Sequence, residues 1–182
     1  MPGMPDLVLR AATKDDAAQI ASVHVASWRA AYAGIFPSEW LDSDEFADGR
    51  RTQWNAWRLG PAERIAVAAR PPSPDAEPVV AAFSWYGPER DRGRGMTGNG
   101  EINAFYADPA VWGTGVGSAL MEHTELRLRA EGFVTAVLWV LADNPRARRF
   151  YERHGWAATG REANFELRGT VAPEVEYRKH LT

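Results

Sequence analysis

The sequence predicts one domain of the α/β class, of the α+β type, with a mixed sheet. Residues 101–141 form a strand, a glycine-rich turn, a long helix and a second strand, which together make a βαβ unit with a right-handed crossover. Antiparallel strands are predicted on both sides of this unit, which excludes a doubly wound parallel sheet. The chain has 182 residues and is 45% apolar, which is enough to bury the core of a single domain.

The first sixty residues are predicted to be mainly helical. Thr13 is a candidate helix N-cap, with Asp16 in the capping-box position three residues later. The periodicity of the apolar residues predicts that this helix continues to about Tyr32. A second helical stretch is predicted from 38 to 59, with an interruption around 42–49.

Runs of apolar and β-branched residues between turn signals predict the strands. They lie at 7–10, 65–69, 79–85, 101–107, 134–141, 156–162 and 173–179. The second and third strands form an antiparallel hairpin around a proline-rich loop. Residues 134–141 are almost all apolar, as is typical of a central strand that is covered on both faces.

Two further helices are predicted from their caps. The first is amphipathic and runs over 115–131, with Gly132 as its C-terminal stop. The second begins at Asn144-Pro145, with Asn as the N-cap and Pro at the first helical position, and it ends at His154 before Gly155.

Composition and charge exclude several classes of function. The 21 basic and 24 acidic residues give a net charge of −3, which provides no electrostatic footprint for nucleic acid or for a membrane surface. No apolar run approaches the length of a membrane span and no signal peptide is visible, so we expect a soluble, cytoplasmic protein. Cysteine is absent, which excludes disulfides and a cysteine nucleophile. The four histidines stand far apart, and we expect no metal site.

Two glycine clusters compete for the role of an anion-binding loop. Residues 93–98 match G-x-G-x-x-G, but a charged loop precedes them and a strand follows, so we interpret them as a flexible loop. The cluster at 112–118 lies between a strand and a helix, where glycine N–H groups and the helix dipole favour an anion such as a pyrophosphate. A tight strand-to-helix turn is the alternative interpretation. Neither cluster is followed by a lysine, which excludes a nucleotide-triphosphate loop.

The second cluster resembles the core signature of the GCN5-related N-acetyltransferase (GNAT) superfamily. Gly115 and Gly117 match the glycines of Gln/Arg-x-x-Gly-x-Gly/Ala, whereas Trp112 stands where Gln or Arg is usual. Residues 144–156 resemble the family's Asn-x-x-Ala-x-x-x-Tyr-x-x-x-Gly-Phe segment, and 105–109 resemble the strand end and bend before the loop.

The resemblance implies the acyl-CoA N-acyltransferase fold, which has a mixed, mostly antiparallel central sheet of about seven strands with flanking helices. It implies a single domain over 1–182. Within it, 5–60 supply the first strand and the substrate-side helices, and 101–160 form the acetyl-CoA-binding core.

The resemblance also implies that acetyl-CoA is the cosubstrate. Its pyrophosphate would lie on the N–H groups of the glycine loop, and its pantetheine arm would run along the end of the fourth strand, from which the fifth strand splays away. The cofactor-binding positions are then Phe105, Tyr106, Ala107, Trp112, Gly113, Thr114, Gly115, Val116, Gly117, Ser118, Asn144 and Tyr151. The arginines of the last helix either reach the nucleotide phosphates or form a solvated basic face; they include Arg146, Arg148 and Arg149.

The chemistry implied is direct acyl transfer to a primary amine in a ternary complex. An amine is mostly protonated at neutral pH, so a base must remove a proton before attack, and the leaving thiolate benefits from a proton donor. Tyr151 matches the family's usual donor, with a core aromatic as the alternative. Glu101 is the candidate base, acting through water, or else a solvated strand end; strand alternation places it on one face with Asn103 and Phe105. His24 is a competing base or a packing residue.

The acceptor should contact the first helices, where His24, Trp28 and Tyr32 are the candidate substrate residues. Aromatic walls with nearby carboxylates suit a cationic amine. The acceptor is an amine-bearing small molecule or a peptide. The alternatives are a protein N-terminal or lysine acetyltransferase, and a non-catalytic acyl-CoA-binding or interaction domain. A homodimer through the C-terminal strands is a further possibility.

Overall fold

The computed structural model of the protein describes residues 7–71, 76–90 and 97–182. In this part of the chain, seven strands form a mixed sheet in the order β1-β2-β3-β4-β5-β7-β6. Only β4 and β5 pair in parallel, and every other neighbouring pair is antiparallel. The strands are β1 Val8–Ala11, β2 Arg64–Arg70, β3 Val79–Pro88, β4 Gly100–Ala107, β5 Thr135–Leu141, β6 Ala157–Leu167 and β7 Thr170–His180.

The helices cover both faces of the sheet. They are α1 Ala17–Ala31, α2 Ser38–Leu41, α3 Asp44–Ala56, α4 Val116–Ala130 and α5 Pro145–Arg153. Apolar side chains of α1 and α3 pack with β2 and β3 in one cluster of the core, whereas α4 and α5 pack on the opposite face of the sheet. The predicted mixed sheet with flanking helices is therefore confirmed.

Several predicted boundaries change. The interruption predicted around 42–49 is present but shorter: Asp42 is the C-cap of α2, and Ser43 caps α3 by accepting a hydrogen bond from Phe46 N at 3.2 Å. The two terminal strands are longer than predicted and form a hairpin through residues 168–169. The G-x-G-x-x-G match at 93–98 falls mostly on 91–96, which lie outside the described residues.

The capping box at the first helix is confirmed. Asp16 accepts a hydrogen bond from Thr13 N at 2.8 Å and forms an ion pair with Arg10 at 2.7 Å. A single turn of 3-10 helix over Lys14–Asp16 precedes α1. The capping box determines where the chain turns from β1 into the helix. α1 then crosses the face of β3 and β4, where it forms one side of the site described below.

Candidate functional site

A cleft opens in the middle of the sheet, where its two parallel strands separate. β4 and β5 pair only from Gly100↔Ala136 to Ile102↔Leu138, although β4 continues to Ala107 and β5 to Leu141. The separation leaves a cavity of about 950 Å³, which is lined by α1, β4, β5, α5, the β6–β7 hairpin and the loop before α4. The predicted splaying of the fifth strand is confirmed. Beyond Ile102 the edge of β4 that faces β5 has backbone groups without a partner in β5.

The glycine loop lies at one end of this cavity. Gly113 and Gly115 have φ values of +77° and +93°, which L side chains rarely adopt, so the path of this loop depends on glycine. Gly115 is the N-cap of α4 and makes no side-chain cap hydrogen bond. The first N–H groups of a helix have no intrahelical partner and carry a partial positive charge, so the start of α4 fits an anionic group such as a diphosphate.

The loop is held in place by its own polar contacts. Thr114 Oγ1 donates to Val111 O at 2.8 Å, and the Trp112 indole N–H donates to Ala107 O at 2.9 Å. The Arg146 guanidinium carbon lies 3.2 Å from the centroid of the Trp112 ring. Thus Trp112, which stands where Gln or Arg is usual, packs against both the end of β4 and α5.

A β-bulge in β4 changes which side chains share a face. Trp85 pairs with Ala104 and Tyr86 with Ile102, so Asn103 has no opposite residue. Ile102 and Phe105, three residues apart, consequently pack against the same cluster. The prediction that Glu101 shares a face with Phe105 is therefore wrong, because the extra residue at 103 reverses the alternation.

Glu101 lines the cavity close to the point where β4 and β5 separate. Its side chain is 1% exposed and forms an ion pair with Arg90 at 2.8 Å. The Arg90 backbone N–H and guanidinium Nε also donate to Glu101, both to Oε2, at 2.8 and 3.2 Å. The site therefore holds a buried carboxylate that is paired with Arg90.

Tyr151 projects from α5 into the same cavity and is 7% exposed. Burial raises the pKa of its hydroxyl, and the nearby Tyr106 adds to this effect. Its ring lies 6.5 Å from that of Phe105, across the cleft. Tyr151 is thus protonated at neutral pH and placed where a proton donor would meet a group bound between β4 and β5.

His24 lies behind the cavity wall. Its ring stacks on Tyr106 at a centroid distance of 4.8 Å, and its Nδ1 accepts a hydrogen bond from the Trp54 indole at 3.0 Å. Burial, with a contribution from the charge of Arg50, lowers the pKa of His24 to about 3. The histidine is therefore neutral and in the core, so Glu101 is better placed than His24 to act as a base.

Most of the predicted site residues line the one cavity. Those on its wall are Trp28, Tyr32, Glu101, Phe105, Tyr106, Ala107, Trp112, Gly113, Gly115, Gly117, Ser118, Asn144 and Tyr151. His24, Thr114 and Val116 do not line it; the Val116 side chain is fully buried in the core. Asn144 also caps α5, since its side chain accepts a hydrogen bond from Ala147 N at 3.1 Å.

The β6–β7 hairpin supplies a wall of the cavity that was not predicted from the sequence. Asn164, Phe165, Glu166 and Glu174 line the cavity, and the Phe165 ring lies 6.3 Å from that of Trp28 in α1. The tip of the hairpin packs against α1, α2 and α3, where Arg168 pairs with Glu45 at 2.7 Å. The alternation of apolar and polar residues around 160–175 was a signal for this longer hairpin. It does not show against which part of the domain a terminal hairpin packs.

Neither a membrane span nor a metal centre is found in the described part of the chain. No helix there is long and apolar enough to cross a membrane. Within 7–71, 76–90 and 97–182, no group of three or more His, Asp or Glu residues is arranged to hold a metal ion.

Comparison with known proteins identifies the family and the fold. The family model described as the acetyltransferase (GNAT) family matches residues 25–156. The chain is 31% identical over 172 residues to "Uncharacterized N-acetyltransferase YuaI" of Bacillus subtilis (strain 168), covering 93% of this chain and 90% of that protein.

Two solved structures share the fold. A GCN5-related N-acetyltransferase from Rhodopseudomonas palustris matches with a TM-score of 0.71 at 20% identity, covering 100% of this chain and 99% of the other. The structure of yncA from Salmonella typhimurium with its cofactor acetyl-CoA matches with a TM-score of 0.68 at 20% identity, covering 97% and 95%.

The sheet and its cleft define the acyl-CoA N-acyltransferase fold. The chain belongs to the acetyltransferase (GNAT) family and is an N-acetyltransferase.

Proposed function

We propose that the protein transfers an acetyl group from acetyl-CoA to a primary amine, by direct attack of the amine in a ternary complex. One observation carries this proposal. The cavity has an uncapped glycine-rich helix start at one end, and Glu101 and Tyr151 lie on its walls. An anion site and a pair of proton-transfer groups in one cleft are what acyl transfer from a nucleotide thioester requires.

The donor would lie along the separated edge of β4. The N–H groups at the start of α4 would bind the diphosphate, and the backbone of Phe105, Tyr106 and Ala107 would pair with the amides of the pantetheine arm, as an added strand pairs with a sheet edge. The acetyl-CoA in the related yncA structure supports this choice of donor.

Glu101 and Tyr151 would divide the proton transfers. Glu101, acting through a water molecule, would accept the proton that the ammonium group must lose before it attacks. The amine nitrogen then forms a bond to the thioester carbonyl carbon, the bond from that carbon to sulfur breaks, and the nitrogen releases its second proton to solvent as the amide forms. Tyr151 would give its proton to the departing thiolate and recover one from solvent. Its burial keeps it protonated until that step.

The acceptor would enter between α1 and the β6–β7 hairpin. Trp28 and Tyr32 provide aromatic surface there, and Glu166 and Glu174 provide carboxylates. Aromatic faces and carboxylates both favour a cationic ligand, which suits an amine in its resting protonated form. A small amine, a protein N-terminus and a lysine side chain all satisfy this chemistry.

The test has two parts, binding and turnover. Calorimetric titration with acetyl-CoA should show micromolar binding, and CoA release should then appear with some members of a panel of amines and peptides. Because the chain has no cysteine, a thiol reagent reports released CoA without a background from the protein. Absence of binding would refute the donor, and transfer only to neutral or acidic acceptors would refute the amine.

A further inference from the structure

We propose that Trp112 and Arg146 form a stacked pair that recognises the diphosphate of the acyl-CoA donor. The proposal rests on the proposed function, because it assigns a binding role in the same cleft. It makes the protein selective for acyl donors that carry phosphate over thioesters of the same acyl group that carry none.

The pair spans the two sides of the cleft. Trp112 follows β4 and is bonded to its last residue through the indole N–H, 2.9 Å from Ala107 O. Arg146 belongs to the first turn of α5, which follows β5. The 3.2 Å stacking contact therefore joins sides that separate after Ile102↔Leu138. A guanidinium held over an indole ring loses little freedom when it binds an oxyanion.

Arg146 is a cation without an acidic partner. It lines the cavity, and among the described residues no carboxylate forms an ion pair with it. Burial lowers the pKa of Arg146, although a guanidinium stays charged at neutral pH. Because Arg146 lines the cavity and is exposed there, its positive charge is available to an anion that binds at this point.

The second positive element lies beside it. Trp112 is one residue before Gly113, and the unpaired N–H groups at the start of α4 follow. Backbone N–H groups and a guanidinium bind a diphosphate from different directions, and the guanidinium adds charge-assisted hydrogen bonds that the backbone cannot supply.

The neighbouring arginines of α5 are placed differently. Arg148 donates to Tyr177 Oη at 3.1 Å and to Ala142 O at 3.2 Å. Arg149 is exposed, as Arg146 is, but it does not line the cavity. The structure therefore separates Arg146 from the basic face of the helix, and Arg149→Ala is a matched control for loss of one positive charge.

The pair also explains how the loop works with an indole at position 112. In the family signature this position carries Gln or Arg, whose side chain can contact the donor directly. Here the indole of Trp112 does not make that contact. It orients the guanidinium of Arg146, which reaches the loop from α5. The positive group is thus supplied by the opposite side of the cleft.

The experiment measures donor affinity and donor preference in five proteins: wild type, Arg146→Ala, Trp112→Ala, the double variant with both changes, and Arg149→Ala. Acetyl-CoA should bind to Arg146→Ala about tenfold to a hundredfold more weakly than to wild type, as expected for loss of charge-assisted hydrogen bonds. Arg149→Ala should bind like wild type. The ratio of kcat/KM for acetyl-CoA to that for S-acetylpantetheine, which has no phosphate, should fall by a similar factor in Arg146→Ala.

The double variant tests whether the two residues act as a pair. Since Trp112 acts by orienting Arg146, the double variant should bind acetyl-CoA about as weakly as Arg146→Ala alone. Affinity in Arg146→Ala equal to wild type, an unchanged donor ratio, or fully additive losses would overturn the proposal. A wild type that binds no acetyl-CoA would instead refute the proposed function, so the two failures are distinguishable.

Discussion

Acid should destabilise the protein through His24, a residue that the structure places in the core. Its side chain is 4% exposed, and its pKa falls from an ordinary 6.5 to about 3, mainly because burial disfavours the charged ring. In the unfolded chain the same histidine takes up a proton near pH 6.5. The unfolded state therefore binds more protons below that pH, and the free energy of unfolding falls as the pH drops until it approaches 3.

The size of the effect follows from the two pKa values. Between pH 7.5 and 5.5, one histidine with this shift lowers the free energy of unfolding by about 1.4 kcal/mol. For a domain of this size that corresponds to a decrease in Tm of roughly 3–6 °C. This pH interval lies above the range in which carboxylates begin to contribute to the pH dependence of the free energy of unfolding. Asp16 is one such carboxylate, and its hydrogen bond with Arg10 lowers its pKa.

Urea unfolding of wild type and His24→Asn at both pH values measures the effect. Asparagine can still accept the hydrogen bond from the Trp54 indole but does not titrate. The variant should be less stable at each pH, because it fills the core less well, yet its decrease between the two pH values should be about 1.4 kcal/mol smaller than in wild type. His180→Asn, at an exposed position, should keep the wild-type decrease. An equal decrease in wild type and His24→Asn would refute the reasoning.

The other predictions concern the catalytic cleft. Gly115→Ala should weaken acetyl-CoA binding in calorimetry, because φ +93° costs an L residue about 1–2 kcal/mol and the loop will move to relieve it; Gly132→Ala, also at φ +93° but at the far end of α4, should lose stability without losing affinity. Tyr151→Phe should lower kcat about 10²–10⁴-fold in the CoA-release assay while changing acetyl-CoA affinity much less, and equal losses in both would contradict a donor role. If Glu101 is the base, Glu101→Gln should remove the acidic limb of the dependence of kcat/KM on pH. If Glu101 only holds Arg90 in place, Arg90→Ala will show the same loss of activity as Glu101→Gln at every pH.

The order of elements was predictable because it depends on local signals. The bonds of Thr13 with Asp16 and of Asn144 with Ala147 are made between residues three apart, so the sequence contains both partners of each cap. The positive φ of Gly115 likewise follows from its place between a strand and a helix. Such features need no knowledge of the rest of the chain.

The walls of the cavity were less predictable because they depend on contacts between distant segments. Arg90 binds Glu101, which lies 11 residues away along the chain, and Glu174 comes to face α1 only because β7 inserts between β5 and β6. The stacking of Arg146 on Trp112 joins two elements separated by the whole of α4 and β5. Periodicity and capping determine neither the order of strands in a sheet nor the partners of a side chain across it.

The bulge at Asn103 shows how one unpaired residue shapes the site. Before it, Glu101 lies on the opposite side of β4 from Ile102 and α4, and its carboxylate reaches Arg90 and the cavity. After it, Phe105 returns to the side of Ile102 and approaches Phe150 and Tyr151 of α5. A regular strand would place Glu101 and Phe105 on one face. The extra residue therefore separates the candidate base, on one face of β4, from the aromatic contacts that support the candidate acid on the other, and it does so where β4 leaves β5 and the cleft begins.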